Sequence, residues 1–413
     1  MYFDLIVIGG GAAGFFAATT CAENSGKSVL ILEKTSQLLQ KVKISGGGRC
    51  NVTHDCFEPR DLSRCYPRGE KSLIGPFHRF GAADTVAWFA DRGVALKTEA
   101  DGRMFPETDR SQTIIDALLG AADAAGVEVR TSNAVTSIVT KESTFELGTD
   151  RGDHYRAANV LIATGGTRNA AGAHLAASLG HELLPATPSL FTFKIKDPRL
   201  VDLLGLSVTP ANVSISQSKL SSRGPVLITH WGLSGPGILK ISAWGARELA
   251  GRDYRFDISV NWLPDEDVDA MIIGKRSEEG KRQLASRSPF ATIPKRLWLR
   301  LVAAAGIPES TTWSQLSKKH ATSLIHQLTA SIFAVDGKAT NKDEFVTCGG
   351  VARDEIDFKT MQSKLVPGLY FAGEVVDVDG ITGGYNFQNA WTSGFHAGTD
   401  IAASQTRTDT HPG

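Results

Sequence analysis

The chain opens on an apolar run, Phe3 to Ile8, which breaks at once into Gly9-Gly10-Gly11-Ala12-Ala13-Gly14. A helix-like run follows from Ala12 to Glu23. A second apolar run, Ser28 to Lys34, then carries Glu33 near its end. Short Ile/Val/Leu runs bounded by glycine predict strands buried on both faces, as in parallel sheets. The theme returns twice. Asn159 to Arg168 is a buried strand running into Ala163-Thr164-Gly165-Gly166, and Gly368 to Gly394 gives a strand, Gly373-Glu374, a loop with Asp379 and a helix beginning near Gly383-Gly384.

The pattern changes between these segments. "FTFKI", "NVSIS", "PVLITH" and "FDISV" are short, partly alternating runs separated by turn signals, and predict a small antiparallel barrel over about 190–260. Gly237 to Ala250 reads as a helix. Short helical runs broken at Gly280, Pro289, Pro294 and Gly306-Ile307-Pro308 fill about 261–330. The predicted organisation is an α/β unit made of 1–189 and 345–413, interrupted by an insert at 190–344.

Composition narrows the class. The 413 residues are too many for one ordinary core. With 42% hydrophobic and 21% charged residues the chain reads as a soluble globular protein. Lys+Arg and Asp+Glu balance at 44 each, which argues against a generally basic nucleic-acid binder. No apolar run is long enough to span a membrane. Five cysteines without a C-x-x-C pair predict reduced thiols in the cytoplasm, with neither a zinc site nor a redox disulfide motif.

Strand, Gly-x-Gly-x-x-Gly, helix, strand and acid together form a dinucleotide fingerprint. Gly9 allows the tight turn, Gly11 the approach of a pyrophosphate, and Gly14 close packing of helix on strand. The helix start at Ala12-Ala13 offers N–H groups and a positive dipole end to phosphate. Glu33 stands where a carboxylate would accept from ribose hydroxyls. The second glycine approach at Thr164-Gly165-Gly166 and the strand and helix at the far end of the chain favour FAD over NAD.

"SGGGRCNVT", "ATGG", "THWGLSGPGIL" and "GLYFAGEVVDVDGITGGYN" resemble the motifs of the YhiN/BaiN-type flavoproteins, over essentially the whole chain. The resemblance implies a glutathione-reductase-type FAD-binding Rossmann domain built from both chain ends, with an inserted small β-barrel and helical part. This chain departs from the family pattern at Leu39-Gln40, His54 and Ile381. By resemblance, the helix opening at Gly384-Tyr385-Asn386 faces the flavin pyrimidine edge, and the loop Ser45-Gly46-Gly47-Gly48-Arg49-Cys50-Asn51 lies along the ribityl chain and ring. Arg49 is then a donor to cofactor oxygens. Lys34, Ala134, Val135, Ala163, Gly373, Glu374 and Asp379 complete the candidate cofactor set.

Two residues are catalytic candidates. Cys50 is either a thiol activated by Arg49 beside the flavin or a small packed side chain, and the lack of a partner cysteine favours packing. His230 is a substrate-side acid or base or a hydrogen-bonded structural histidine. Ser111 is expected to cap a helix. No second dinucleotide fingerprint is present, so NAD(P)H is expected as a transient electron donor. The expected activity is FAD-dependent, NAD(P)H-driven reduction of a small organic acceptor, with an enone C=C suggested by the BaiN branch. The rivals are a flavin-containing RNA-binding or RNA-modifying protein and an amine oxidase. The basic residues between Lys275 and Arg300 read as a solvated helix face, which makes a nucleic-acid partner the less favoured reading.

Overall fold

Leu5, Ile6 and Val7 have no exposed surface, and neither do Leu30 and Ile31 beside them. A strand covered on both faces must also find hydrogen-bond partners along its edges. The computed structural model, which describes residues 1–166, 171–339 and 346–404, shows where they go. Strand β1 (Tyr2–Ile8) lies between β2 (Val29–Leu32) and β4 (His154–Ile162). Beyond β2 lies β3 (Glu128–Arg130), and beyond β4 lies β5 (Leu369–Phe371) from the far end of the chain. All four pairings are parallel, in the order 3-2-1-4-5. The strand order therefore reverses between β1 and β4, and in open α/β sheets ligands bind outside the carboxyl ends at such a point. The hairpin Val135–Lys141 and Thr144–Thr149 adds antiparallel to β4.

Helices α1 (Ala12–Ser25) and α2 (Tyr385–Ala403) join the two ends of the chain. They pack backbone to backbone. A Cβ on Gly398 would stand 2.5 Å from Ala17 O, and one on Gly394 2.8 Å from Ala13 O. Glycine inside a helix costs about 1 kcal/mol relative to alanine. Here it allows an approach that no side chain would permit. Phe16 and Trp391 meet across this seam at 5.5 Å between ring centroids, and the Trp391 indole N–H donates to Val52 O at 2.9 Å.

The chain divides into two compact units, Met1–Thr187 with Val346–Gly413, and Pro188–Phe345. The second unit is built on a six-stranded antiparallel sheet ordered Phe193–Lys194, Gly232–Ser234, Ser221–Thr229, Ser207–Ile215, Arg255–Asn261 and Ser331–Asp336. A bridge from Phe193 to Lys338 brings the first strand to the end of the last, so the sheet is nearly closed. Helices Val268–Glu278, Lys295–Ala304 and Lys318–Thr329 share one core with it, around Trp262, Trp298 and Trp313. The helix expected from Gly237 to Ala250 is instead two, Pro236–Trp244 and Ala246–Gly251. They break at Gly245, where a Cβ would press on Leu220 at 2.7 Å. Among the described residues no helix is long and apolar enough to cross a membrane, and no group of three or more His, Cys, Asp or Glu could hold a metal.

Candidate functional site

The carboxyl ends of β1 and β4 lie so close that a Cβ on Gly9 would stand 2.5 Å from Ala163 O, and Gly9 takes φ +116°. A side chain on Gly14 would run into Gly9 O, so helix α1 begins directly against the turn. Its N-cap is Gly11, which supplies no side-chain cap. The first N–H groups of the helix, from Ala12 and Ala13 onward, are left for an outside partner. A Cβ on Gly11 would meet nothing within 4 Å, so the space before this helix end is open.

Glu33 follows β2. Its Oε2 accepts from Gly10 N–H at 2.9 Å, and its Oε1 from Thr35 N–H and Oγ1 at 2.9 Å each. The carboxylate thus fixes the glycine turn while keeping lone-pair capacity for a further donor. The backbone of Ser132 and Asn133 donates to Thr35 O and Glu33 O, which brings Ala134 and Val135 to this edge. Lys34 is exposed beside it. At the end of β4, Ala163 N–H bonds to Ile8 O and Gly165 takes φ +77°. A Cβ on Gly166 would meet Thr347 and Glu374. Glu374 accepts from Thr347 N–H at 2.7 Å and pairs with Lys41. Gly373 N–H donates to Ser393 Oγ at 2.8 Å.

The triple-glycine segment is a helix only as far as Ile44. Ser45 is extended, and Gly46, Gly47, Gly48 and Cys50 have φ of +58°, +69°, +86° and +63°. Four left-handed residues in a stretch of five explain the glycines, because L side chains pay about 1–2 kcal/mol in that region. Asn51 then ties this segment to the other end of the chain. In the amide orientation that suits its neighbours, its nitrogen donates to Thr53 O and Met104 O, and its oxygen accepts from Gly384 N–H at 2.9 Å. Thr53 Oγ1 donates to Gln388 Oε1 at 2.6 Å, and His54 stacks on Tyr385 at 4.9 Å. Helix α2 has Gly384 as N-cap and no side-chain cap, so its first turn also presents N–H groups.

Several residues sit differently from their expected roles. Arg49 was expected to reach cofactor oxygens, and the less favoured reading of Cys50 had Arg49 activating its thiol. Its guanidinium is instead engaged by Glu99 at 2.6 Å and Asp109 at 3.4 Å, and lies 4.0 Å over the Phe105 ring. Cys50 has no exposed surface, and burial pushes its thiol up to about 12, the reverse of an activated thiolate. Asp379 is fully buried in an ion pair with Arg68, so it acts on the loop from behind. Asn386 folds back onto Gly380, accepting from its N–H at 2.9 Å and donating to its C=O at 3.0 Å. Tyr385 is buried, which raises its hydroxyl, and its C=O accepts from Tyr66 OH at 2.5 Å. Ser111 is the first residue of its helix, where Arg110 is the N-cap, and its hydroxyl donates to Lys43 O at 2.8 Å. His230 belongs to the inserted unit. Lys41 and Arg68 were missed, although the carboxylate of Asp379 within an apolar run signals a need for a buried cation such as Arg68.

Two uncapped helix starts, a carboxylate at the end of β2 and an open glycine segment suit a dinucleotide with a flavin end. The HI0933-like protein Rossmann domain family matches residues 3–400. The chain is 32% identical over 411 residues to the ribosomal RNA dihydrouridine synthase of Escherichia coli K12, covering 98% of this chain and 99% of that one. It is 29% identical over 413 residues to the 3-dehydro-bile acid delta(4,6)-reductase of Clostridium scindens, covering 96% and 98%. Among solved structures, 3-ketosteroid delta1-dehydrogenase from Sterolibacterium denitrificans has the same fold at 12% identity, with a TM-score of 0.53 over 98% of this chain and all of that one. Together with the site geometry, these matches make the chain a member of the HI0933-like family and an FAD-dependent oxidoreductase.

Proposed function

We propose that this enzyme saturates a carbon–carbon double bond conjugated to a carbonyl in a small organic molecule, with NAD(P)H restoring the reduced flavin. One observation carries the reading. Two full-length relatives are named for different substrates, yet both names denote hydrogen added across a C=C. Bound FAD supplies the hydride chemistry. The chain's residues do the rest. The N–H groups of α1 from Gly11 to Ala13 would hold the pyrophosphate, and Glu33 would accept from the ribose, with Ala134 and Val135 beside it. The segment Ser45 to Asn51 and the loops at Thr164 to Gly166 and Gly373-Glu374 line the rest of the cofactor. The first turn of α2, aimed by Asn51 and by the fold of Asn386 onto Gly380, would offer N–H groups to negative charge on the flavin. Buried and protonated, Cys50 packs.

A uridine within RNA is the second substrate that this chemistry allows. It is favoured by the name of the E. coli relative and by Lys295-Arg296 and Lys318-Lys319. These exposed cations open two helices whose first turns contain no acid to offset them. By contrast Lys275, Arg282 and Arg287 are all tied to Glu279.

Anaerobic mixing tests both readings. NADH or NADPH should bleach the flavin, and an added enone should restore its colour. Recolouring by a ribosomal RNA fragment and not by enones, with a steep salt dependence, would move the assignment to RNA. Bleaching by amines and not by nicotinamides would make the protein an oxidase. For the cofactor, Glu33→Ala should weaken FAD by about ten- to a hundredfold, since a hydrogen bond to a charged group contributes roughly 1.5–3 kcal/mol. Equilibrium dialysis of FAD reads this directly, and unchanged affinity would remove Glu33 from the site.

A further inference from the structure

The inserted unit holds a cavity of about 420 Å³, all of whose lining residues belong to that unit. Small-molecule sites typically run from roughly 300 to 1,000 Å³, with apolar walls and a few placed polar groups. This one is walled by Phe191, Leu204 and Leu239, among others, and its polar residues include His230, Trp231 and Lys338 beside several hydroxyls.

The hairpin at its mouth is unusual. Ser221–Thr229 and Gly232–Ser234 pair through Thr229 and Gly232, which leaves His230 and Trp231 as the two turn residues. Two-residue turns favour Asn, Asp and Gly. An exposed His-Trp pair contributes nothing to turn formation, and Trp231 is 43% and Leu204 64% exposed beside the cavity. The turn is nevertheless fixed. Trp231 N–H donates to Thr229 Oγ1 at 3.2 Å, and Trp231 O accepts from Ile195 N–H at 2.9 Å. A Cβ on Gly232 would press on Ile195 N at 2.6 Å, so the hairpin is seated against its neighbouring strand. The two rings stand 4.7 Å apart, and among the described residues neither nitrogen of His230 has a hydrogen-bond partner. Rigid aromatic surface at a cavity mouth stacks on a flat ligand at little entropic cost.

The chemistry of the lining selects the ligand further. No acidic residue lines the cavity, whereas His230 and Lys338 do. Lysine only donates, and histidine can donate. The matching ligand presents acceptors and apolar area. We infer that this pocket binds a flat, apolar ring system bearing a ketone, with its ring on Trp231 and its carbonyl oxygen accepting from His230. A single pyrimidine would leave most of the cavity unfilled, so a fused-ring ketone is the better match. The choice of a ketone ligand rests on the double-bond reductase reading.

The test is binding without turnover. 4-Androstene-3,17-dione is titrated calorimetrically into the oxidised holoenzyme with no reductant, with uridine 5′-monophosphate as competitor. The wild type should bind the steroid, and the nucleotide should not displace it. Trp231→Ala and Leu204→Asp should each raise Kd tenfold or more, and both positions are exposed enough that a melting curve should show the fold retained. His230→Gln keeps a donor and should cost less than His230→Leu. No steroid binding by the wild type, equal Kd across the variants, or displacement by the nucleotide would each overturn the assignment. Its failure is separable from that of the reductase reading. Binding that depends on Trp231, with no enone turnover, would keep the pocket and remove the reductase. Enone turnover with unchanged KM in these variants would do the opposite.

Discussion

Asp379→Ala should destabilise the enzyme by about 3–5 kcal/mol, the typical loss when one member of a buried ion pair is removed. The carboxylate has no exposed surface and the Arg68 side chain is 8% exposed, and the guanidinium donates to both carboxylate oxygens. Without Asp379 the buried Arg68 guanidinium loses its bonds to both carboxylate oxygens. The pair was costly to desolvate when it formed, so replacing both members should be far milder than replacing one. Arg68→Met with Asp379→Leu should recover most of the loss. For a unit of this size about 1 kcal/mol corresponds to roughly 2–4 °C, so the single variant should melt about 10 °C lower. A shift under about 2 °C would show that water reaches the pair. FAD affinity should fall as well, because Arg68 and Asp379 also bridge through their backbones just before the turn from Gly380 to Gly384 that aims α2.

The arrangement that this pair supports was only half legible in the sequence, and distance along the chain explains the division. The glycine turn at Gly9, the close packing at Gly14 and the placing of Glu33 after β2 were readable because they are local. The strand, turn, helix and acid all lie within the first 33 residues, and each needs only its neighbours. The return of the far-end strand to the first unit was readable from its resemblance to a domain built from both chain ends, whereas its place beside β4 was not. Roles set by distant partners were not readable. Arg49 looks like a cofactor donor until Glu99 and Asp109 are placed around it, 50 and 60 positions away. Lys41 meets Glu374 across 333 positions, and Arg68 meets Asp379 across 311. The insert shows the same limit. Its change from alternating strands to short helices suggested two parts, but strand and helix side chains fill a single core.

The three glycines after Ser45 lead to the second large effect. Gly47→Val should give protein that purifies without yellow colour, with FAD weakened by more than a hundredfold, or about 2.7 kcal/mol. Two costs add. The backbone at Gly47 has φ +69° and ψ +33°, where a β-branched residue is strained by about 1–2 kcal/mol. Its Cβ would also point into space where no other atom lies within 4 Å, the space that the proposed FAD would take. Gly47→Asn separates these terms, because Asn tolerates the left-handed region but still fills the space. Retained FAD in that variant would reduce the glycine's role to backbone strain. Cys50 lies three residues on and should behave in the opposite way. Burial pushes the Cys50 thiol up, so it is protonated at pH 7. No cation offsets the burial that raises it. Cys50→Ser should therefore stay yellow and reduce its flavin with NAD(P)H within about tenfold of wild type, roughly 1.4 kcal/mol of barrier. A thiolate mechanism requires a charge-transfer band in the wild type and collapse of turnover in the serine variant. Observing both would mean that FAD binding reshapes the Ser45 to Asn51 segment enough to expose and ionise Cys50.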